Sequence, residues 1–450
     1  MALSGIQIYK FLPQTNCKEC GFPTCLAFAM KLAAKHVELS ACPYVTEESK
    51  KQLAESAAPP IRLVTLKAGT EVKAGNEVVM FRHEKTFYNK PGLFVRVKAS
   101  DGDIATKVAA ADKYTVSYVG MNFTIDGFAV EADGGDFGAA VKAVRGASKR
   151  PLILIGDPAT LPAGLEALSS SSTAGQTETP MIYAADTTNW EAMTNLAAKY
   201  KAALAVKGAS LDELADLTQK IQAKGVEDMV LDPSAGSGQS LGGWLTLSTQ
   251  IRRLALKANF RALGYPVIAF PGAAGDVGKE IVYAAQAIAK YAGFVVLDTF
   301  TPELVYALLV LRENIYTDPQ KPIQVQPGVY EINNPTADAP ALVTTNFSIT
   351  YFSVANEVEG SGLPAWLVVT DAEGMSVLTA WAAGKFDAER IAKTVKEFDI
   401  ASKVSKKRIV IPGHVAVLSG ELEEELAGWE IRVGPREAVD IPAFMKQALN

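Results

Sequence analysis

The chain has 450 residues, 48% of them hydrophobic and 21% charged, and its 49 acidic against 44 basic side chains leave a net charge of −5. That balance excludes a disordered chain, and without a long Lys/Arg block it offers no basic surface for nucleic acid or an anionic membrane. At roughly 150 residues per domain, the length predicts about three domains.

The opening, MALSGIQIYKFLPQ, lacks the basic start and apolar core of a signal peptide, and no apolar run is long enough to span a bilayer. A cytoplasmic protein is therefore expected. In that reducing compartment clustered cysteines are metal ligands rather than disulfides, and all four cysteines fall within the first 42 residues. Residues 1–57 form a small cysteine module, closed by the Ala/Pro-rich linker ESAAPP at 55–60.

Short Val/Ile/Leu runs then recur with helix-forming stretches between them. The predicted strands are VVMF (78–81), FAVEA (128–132), LILIG (152–156), MIYAA (181–185), ALAVK (203–207), MVLD (229–232), VIAF (267–270) and FVVLD (294–298). The last six start 22 to 38 residues apart, and eight such units predict a (β/α)8 TIM-type barrel over 61–312. The first two strands are the weakest, because 85–125 has room for others, and a doubly wound open sheet is the alternative. The polar, proline-rich ENIYTDPQKPIQVQPG at 313–328 marks a second linker. Residues 329–450 repeat the rhythm on a smaller scale. ALVTTNF, AWLVVTDAEG, RIVIPG and WEIRVG each lead into a helix, which predicts a Rossmann-like α/β domain with a ligand crevice outside the carboxyl ends of its strands.

Cys17, Cys20, Cys25 and Cys42 are spaced C-x2-C-x4-C-x16-C. Structural zinc sites with four thiolates usually pair two short knuckles, and only one such knuckle is present. The longer gaps suit an iron-sulfur cubane, with Gly21 supplying the backbone freedom of a tight loop; zinc remains the alternative on spacing alone. Residues 24–38 read as a helix capped by Thr24. Run unbroken from Cys25 to Cys42, that helix would hold the sulfurs about 25 Å apart, so it must end near Ala34 to His36 for the chain to return.

KFLPQTNCKECGFPTCLAFAMKLA, the later Cys42-Pro43, the barrel-sized middle and the C-terminal VVTDAEGMSVLTAW together resemble the large (gamma) subunits of the corrinoid iron-sulfur proteins of the reductive acetyl-CoA (Wood-Ljungdahl) pathway of carbon dioxide fixation. The resemblance implies a 4Fe-4S cluster on Cys17, Cys20, Cys25 and Cys42, and a cobalamin-type corrinoid in the C-terminal domain. It implies a methyl carrier rather than a stand-alone enzyme. Cobalt(I) takes a methyl group from methyltetrahydrofolate on a separate methyltransferase and passes it to CO dehydrogenase/acetyl-CoA synthase. The cluster, fed by a reductant such as ferredoxin, restores cobalt that has oxidised to Co(II). The implied constant partner is a smaller (delta) barrel subunit, as a heterodimer.

At the predicted strand ends lie Asn346, Thr370, Asp371, Ala372, Glu373, Gly374, Gly413, Val433, Gly434 and Pro435. Small residues there let a flat macrocycle approach, and polar groups can bond its peripheral amides; ordinary caps and turns look the same. Many cobalamin proteins carry D-x-H-x-x-G, whose His sits beneath cobalt, and this chain lacks it. Of its histidines, His36, His83 and His414, the last lies at a strand end but reads as structural. A base-off corrinoid without a protein imidazole is expected, and removing the axial donor favours Co(I).

Other signals carry less. PGAAGDVGKE at 271–280 fails as a P-loop on spacing and on Glu280. Asp157, Asp186, Asp232 and Asp298 sit at predicted barrel strand ends, where catalytic groups cluster but where helix caps are also common. LSSSSTAGQTETP at 168–180 reads as a solvated loop and ELEEE at 421–425 as an exposed helix face. The rival function is a self-sufficient barrel methyltransferase that uses those aspartates, with the four cysteines as structural support.

Overall fold

A computed structural model of the chain describes residues 5–33, 36–37, 39–50, 53, 59–82, 84, 87–171, 178–238, 240–317 and 323–449. They divide into two compact units, one of Met1–Tyr114 with Ile125–Tyr316, the other of Thr115–Thr124 with Thr317–Asn450.

In the first unit a β-hairpin, β1 (Val64–Lys67) and β2 (Glu71–Ala74), precedes β3 (Gly92–Lys98). The predicted strand at 78–81 is not formed. Val78 and Phe81 are exposed there, and the Glu84 carboxylate accepts from the Met80 and Phe81 N–H groups in place of a ladder. The first barrel strand is instead β3, GLFVRVK, whose Arg96 and Lys98 interrupt the apolar pattern. A second hairpin, β4 (Val116–Tyr118) and β5 (Met121–Phe123), belongs to the other unit, where Val119 joins a core with Val325, Ile332 and Leu342. Both β3 and this hairpin fall in 85–125, where the sequence has room for further strands, but nothing local marks the hairpin as part of the other unit.

The remaining barrel strands are β6 (Gly127–Glu131), β7 (Leu152–Ile155), β8 (Met181–Ala185), β9 (Ala203–Lys207), β10 (Met229–Asp232), β11 (Val267–Ala269) and β12 (Ala292–Leu297). With β3 they close in the order β10-β11-β12-β3-β6-β7-β8-β9, every pair parallel. Closure rules out the open-sheet alternative. Strands such as LILI are buried at every position, as a parallel sheet covered by helices requires. Phe94, Phe294, Ile153, Met181 and Ile268 fill the interior, and Val64, Leu66, Val72 and Ala74 of the first hairpin pack into the same core. Truncating Phe94 to Ala would cost about 3–5 kcal/mol.

The second unit holds a five-stranded sheet of β13 (Gly328–Ile332), β14 (Ala341–Thr345), β15 (Ala365–Thr370), β16 (Arg408–Ile411) and β17 (Glu430–Val433). Its order is β13-β15-β14-β16-β17. The last four strands in sequence run parallel, and β13 is an antiparallel edge. Sequence periodicity predicted the four and missed the fifth, which begins at the predicted linker's end. That linker is also shorter than expected, because helix Pro302–Tyr316 runs into it; residues 318–322 lie outside the described residues. Apolar residues alternate across the sheet. Ala341, Val343, Ile409 and Ile411 face one core, Leu342 and Val410 the other.

ELEEE lies on helix Ser419–Glu425 with only Leu422 of that stretch buried. Helix Leu161–Ser171 takes the start of the expected loop at 168–180, of which 172–177 lie outside the described residues. Among the described residues no helix is long and apolar enough to cross a membrane.

Candidate functional site

The cysteines lie around one small core. Thr24 caps helix Cys25–Ala33, its hydroxyl accepting from the Ala27 N–H at 3.1 Å. Asn16 accepts from the Cys25 N–H at 2.8 Å, closing a loop in which Asn16, Lys18 and Gly21 all have positive φ. The winding expected of Gly21 is present, at φ +82°. The helix is described as far as Ala33, and the His36 N–H bonds back to the Lys31 carbonyl, a six-to-one bond of the kind that terminates helices. The chain then returns through the 3-10 turn Leu39–Ala41. Cys25 and Cys42 are buried in the same cluster as Phe28 and Val45, with Cys20 packed against it. Cys17 is exposed.

Tyr44 ties the remaining thiol to this end. Its acidity is weakened chiefly by its hydrogen bond to Glu19 and to a lesser degree by the nearby Cys17 and Cys42. Among the described residues no three His, Cys, Asp or Glu side chains are arranged to hold a metal ion. What the fold supplies is three free thiols on one loop and helix start, with that of Cys42 brought back to the same core after the turn Leu39–Ala41, a donor set whose softness suits zinc or iron-sulfur chemistry.

The second site is in the C-terminal unit. The chain steps from β14 to β15 on one side, then crosses to β16 on the other, so the β14/β16 boundary is where an open α/β sheet binds ligands. These strands pair at only two positions, Ala341 with Ile409 and Leu342 with Val410. Beyond them lies a crevice of about 400 Å³, whose lining includes Thr344, Ser376, His414, Gly434, Pro435 and Glu437. Thr344 is fully buried and its hydroxyl has no hydrogen-bond partner. A buried, unpaired hydroxyl is costly unless something else bonds it.

The predicted contact residues divide. Gly434 and Pro435 line the crevice. Gly413 adjoins it, its N–H donating to the Pro435 carbonyl at 3.0 Å; a Cβ on Gly413 would come within 2.5 Å of the Gly434 oxygen, so only glycine allows the two loops to meet. Val433 is exposed on the edge strand.

Asn346 and residues 370–374 have a different part. Asn346 is buried, accepts from the Ala372 and Gly374 N–H groups and donates to Asp371 at 3.0 Å. Glu373 pairs with Lys385, and Ala372 is a core residue. This loop positions Ser376, Val377 and Leu378, which do line the crevice. Thr370 is buried, its hydroxyl also without a partner. His414, read as structural, instead lines the crevice with Nε2 4.0 Å from Glu437 Oε1. Thr344 was the residue missed. The signal available was the pair of threonines ending the otherwise apolar ALVTT.

Of the barrel aspartates, Asp157 and Asp186 are caps, accepting from the N–H groups of Thr160 and Thr188. Asp232 and Asp298 are not. Asp232 is buried and accepts from the Tyr183 hydroxyl, and Asp298 pairs with Arg96. The glycine-rich 271–280 stretch forms a short 3-10 turn and the start of helix Val277–Ala289, capped by Asp276.

Residues 64–445 match the family described as CO dehydrogenase/acetyl-CoA synthase delta subunit, and residues 12–44 match the family described as a putative Fe-S cluster. Over its whole length the chain is 44% identical to the whole corrinoid/iron-sulfur protein large subunit of Moorella thermoacetica. It is 34% identical to the acetyl-CoA decarbonylase/synthase complex subunit gamma of Archaeoglobus fulgidus and 35% identical to that of Methanosarcina acetivorans. Each of these alignments covers 99% of this chain and 98% of the relative.

Proposed function

The chain belongs to the family of corrinoid/iron-sulfur protein large subunits and acetyl-CoA decarbonylase/synthase gamma subunits, and from that premise we propose that it is a methyl carrier with a cluster module at 1–57, a barrel at 61–312 and a corrinoid-binding Rossmann-like domain at 329–450. Cys17, Cys20, Cys25 and Cys42 would hold a 4Fe-4S cluster. A cobalamin-type corrinoid would lie over the β14/β16 crevice. When bound, the corrinoid supplies a cobalt(I) nucleophile for methyl transfer from methyltetrahydrofolate, held on its methyltransferase, to acetyl-CoA synthase, and the cluster supplies the electron that returns oxidised cobalt to that state.

The observation that carries the proposal is the crevice at the switch point of the sheet, lined by Thr344, whose hydroxyl is buried and without a hydrogen-bond partner. An amide-fringed macrocycle is the kind of ligand that satisfies such a donor. Gly413 and Gly434 keep the loops low beneath it, while the Asn346 clamp fixes the 371–374 turn and hence Ser376. Leu378, 47% exposed at the crevice wall, offers an apolar face to a ring.

His414 is within the crevice, yet its strand-end sequence, IPGHVAV, lacks the D-x-H-x-x-G pattern. We keep the base-off reading with no imidazole on cobalt. The smaller delta barrel subunit, the methyltransferase, CO dehydrogenase/acetyl-CoA synthase and a ferredoxin-like reductant are the proposed partners, in the cytoplasm.

The test is anaerobic purification of the full chain with its companion subunit, followed by iron and cobalt analysis and visible spectroscopy. Bound corrinoid with iron-sulfur absorbance is expected. A colourless zinc protein would overturn the proposal. Electron resonance of the Co(II) form tests the axial site, where nitrogen splitting abolished by His414→Ala would overturn the absence of a protein imidazole, and nitrogen splitting that survives His414→Ala would overturn the base-off assignment.

A further inference from the structure

We propose that the mouth of the eight-stranded barrel is a second small-molecule site, built for a compound with an N–H donor or cation at one end, a flat apolar middle and a carboxylate at the other. The mouth lies at the carboxyl ends of the barrel strands and encloses about 220 Å³. That is the face on which barrels place functional groups.

Its charged groups are mostly spoken for. Arg96, from β3, pairs with both Glu131 and Asp298. Asp232, at the end of β10, accepts from the Tyr183 hydroxyl, the Ser234 N–H and the Ser234 hydroxyl. Two groups keep unmet capacity, one for a hydrogen bond and one for a charge. Glu131 Oε2 is shielded from solvent and has no hydrogen-bond partner; Arg96 lies 3.4 Å from it, an ion pair without hydrogen-bond geometry. The side chain of Lys207, at the end of β9, makes no ion pair or hydrogen bond among the described residues, although its charge is felt by Asp186 and Asp232.

The barrel order β6-β7-β8-β9 sets Glu131 and Lys207 three strands apart around the ring. Between them, on β8, stands Tyr183, its ring centroid 4.7 Å from that of Phe270. An acceptor, an aromatic wall and a free ammonium thus succeed one another around one cavity. The bland alternative is that Lys207 is simply hydrated and Glu131 merely serves Arg96. That leaves the solvent-shielded carboxylate oxygen with an ion pair but no hydrogen bond, and a buried acceptor without a donor is a cost. The cavity also shares Ala273 and Tyr283 with an adjoining groove of about 610 Å³, which leaves room for a substituent.

The site is independent of the proposed cofactors, so it can be tested on the full chain whatever its metal content. The probes are 4-(aminomethyl)benzoate, which carries both ends, and benzylamine and benzoate, which carry one each. Titration by calorimetry should find the two-ended probe binding at least about tenfold more tightly than either single-ended one, the scale of one charge-assisted hydrogen bond. Glu131→Gln should reduce its affinity to that of benzoate, and Lys207→Met to that of benzylamine, while Lys207→Arg retains most of the affinity. Thermal unfolding of each variant checks that the barrel is intact. Absence of saturable binding, equal affinity for the one-ended and two-ended probes, or binding that survives both Glu131→Gln and Lys207→Met in folded protein would overturn the proposal.

Discussion

Asn346 Oδ1 accepts two backbone hydrogen bonds, from Ala372 at 2.9 Å and from Gly374 at 3.0 Å, so one buried amide at the end of β14 fixes the turn that follows β15. The turn needs this help because Glu373, just before Gly374, has a positive φ of 53°, a conformation that its β-carbon resists. Asn346→Ala would leave two buried donors unpaired, at a cost of about 2–4 kcal/mol. Urea unfolding of the full chain should show that loss. Asn346→Asp keeps the acceptor but sets a second carboxylate against Asp371, so it should recover only part of the stability.

Thr344→Val separates folding from binding. The hydroxyl is buried and unpaired when nothing occupies the crevice, so replacing it with a methyl group of nearly the same shape should leave the corrinoid-free chain as stable or raise its stability by about 1 kcal/mol. The same change should weaken corrinoid retention several-fold, read as cobalt content after gel filtration. Lower stability of the empty chain together with undiminished retention would show that the hydroxyl has an internal partner.

Cys17→Ser and Cys42→Ser should both abolish the iron-sulfur absorbance, yet differ in stability. Cys17 is exposed, whereas Cys42 packs among Ile8, Leu12, Phe28 and Val45. Putting a hydroxyl in that core costs about 1–3 kcal/mol unless it finds a partner. Proteolysis within residues 1–57 should therefore be faster in Cys42→Ser than in Cys17→Ser. Both should keep the corrinoid, and in both the Co(II) signal should persist under a reductant that clears it from the unaltered protein.

The sequence was most legible where burial is continuous. LILI, ALAV and MVL could only be covered parallel strands, and their spacing implied the barrel. It was least legible where a strand serves the site. Arg96 breaks the pattern of β3 because it reaches into the mouth toward Asp298 and Glu131, and so GLFVRVK was passed over for the shorter apolar run VVMF. The crevice shows the same division. Glycines 413 and 434 were recognisable as close-approach positions, but whether Asn346 faced a ligand or its own backbone depended on the register of β14 against β15, which no local pattern encodes. Thr344 has no role in the sequence reading and His414 reads there as structural, because lining a crevice is set by the crossover of the sheet, not by neighbours in sequence.

Asp232 gives the barrel mouth a pH signature. Burial raises its pKa above the ordinary value of 3.8, against the opposing pull of the Tyr183 and Ser234 hydrogen bonds and the Lys207 charge. A raised value means that the folded chain holds this proton more tightly than the unfolded one. Its contribution is therefore fully present below 3.8 and is lost as the pH rises through the folded-state value. Asp232→Asn removes the titration while keeping an oxygen for Tyr183. The difference in melting temperature between Asp232→Asn and the unaltered chain should thus shift in favour of the variant as the pH is raised from 3.8 toward neutrality, then level off. A difference that stays flat across that range would mean that Asp232 ionises in the fold as it does in water.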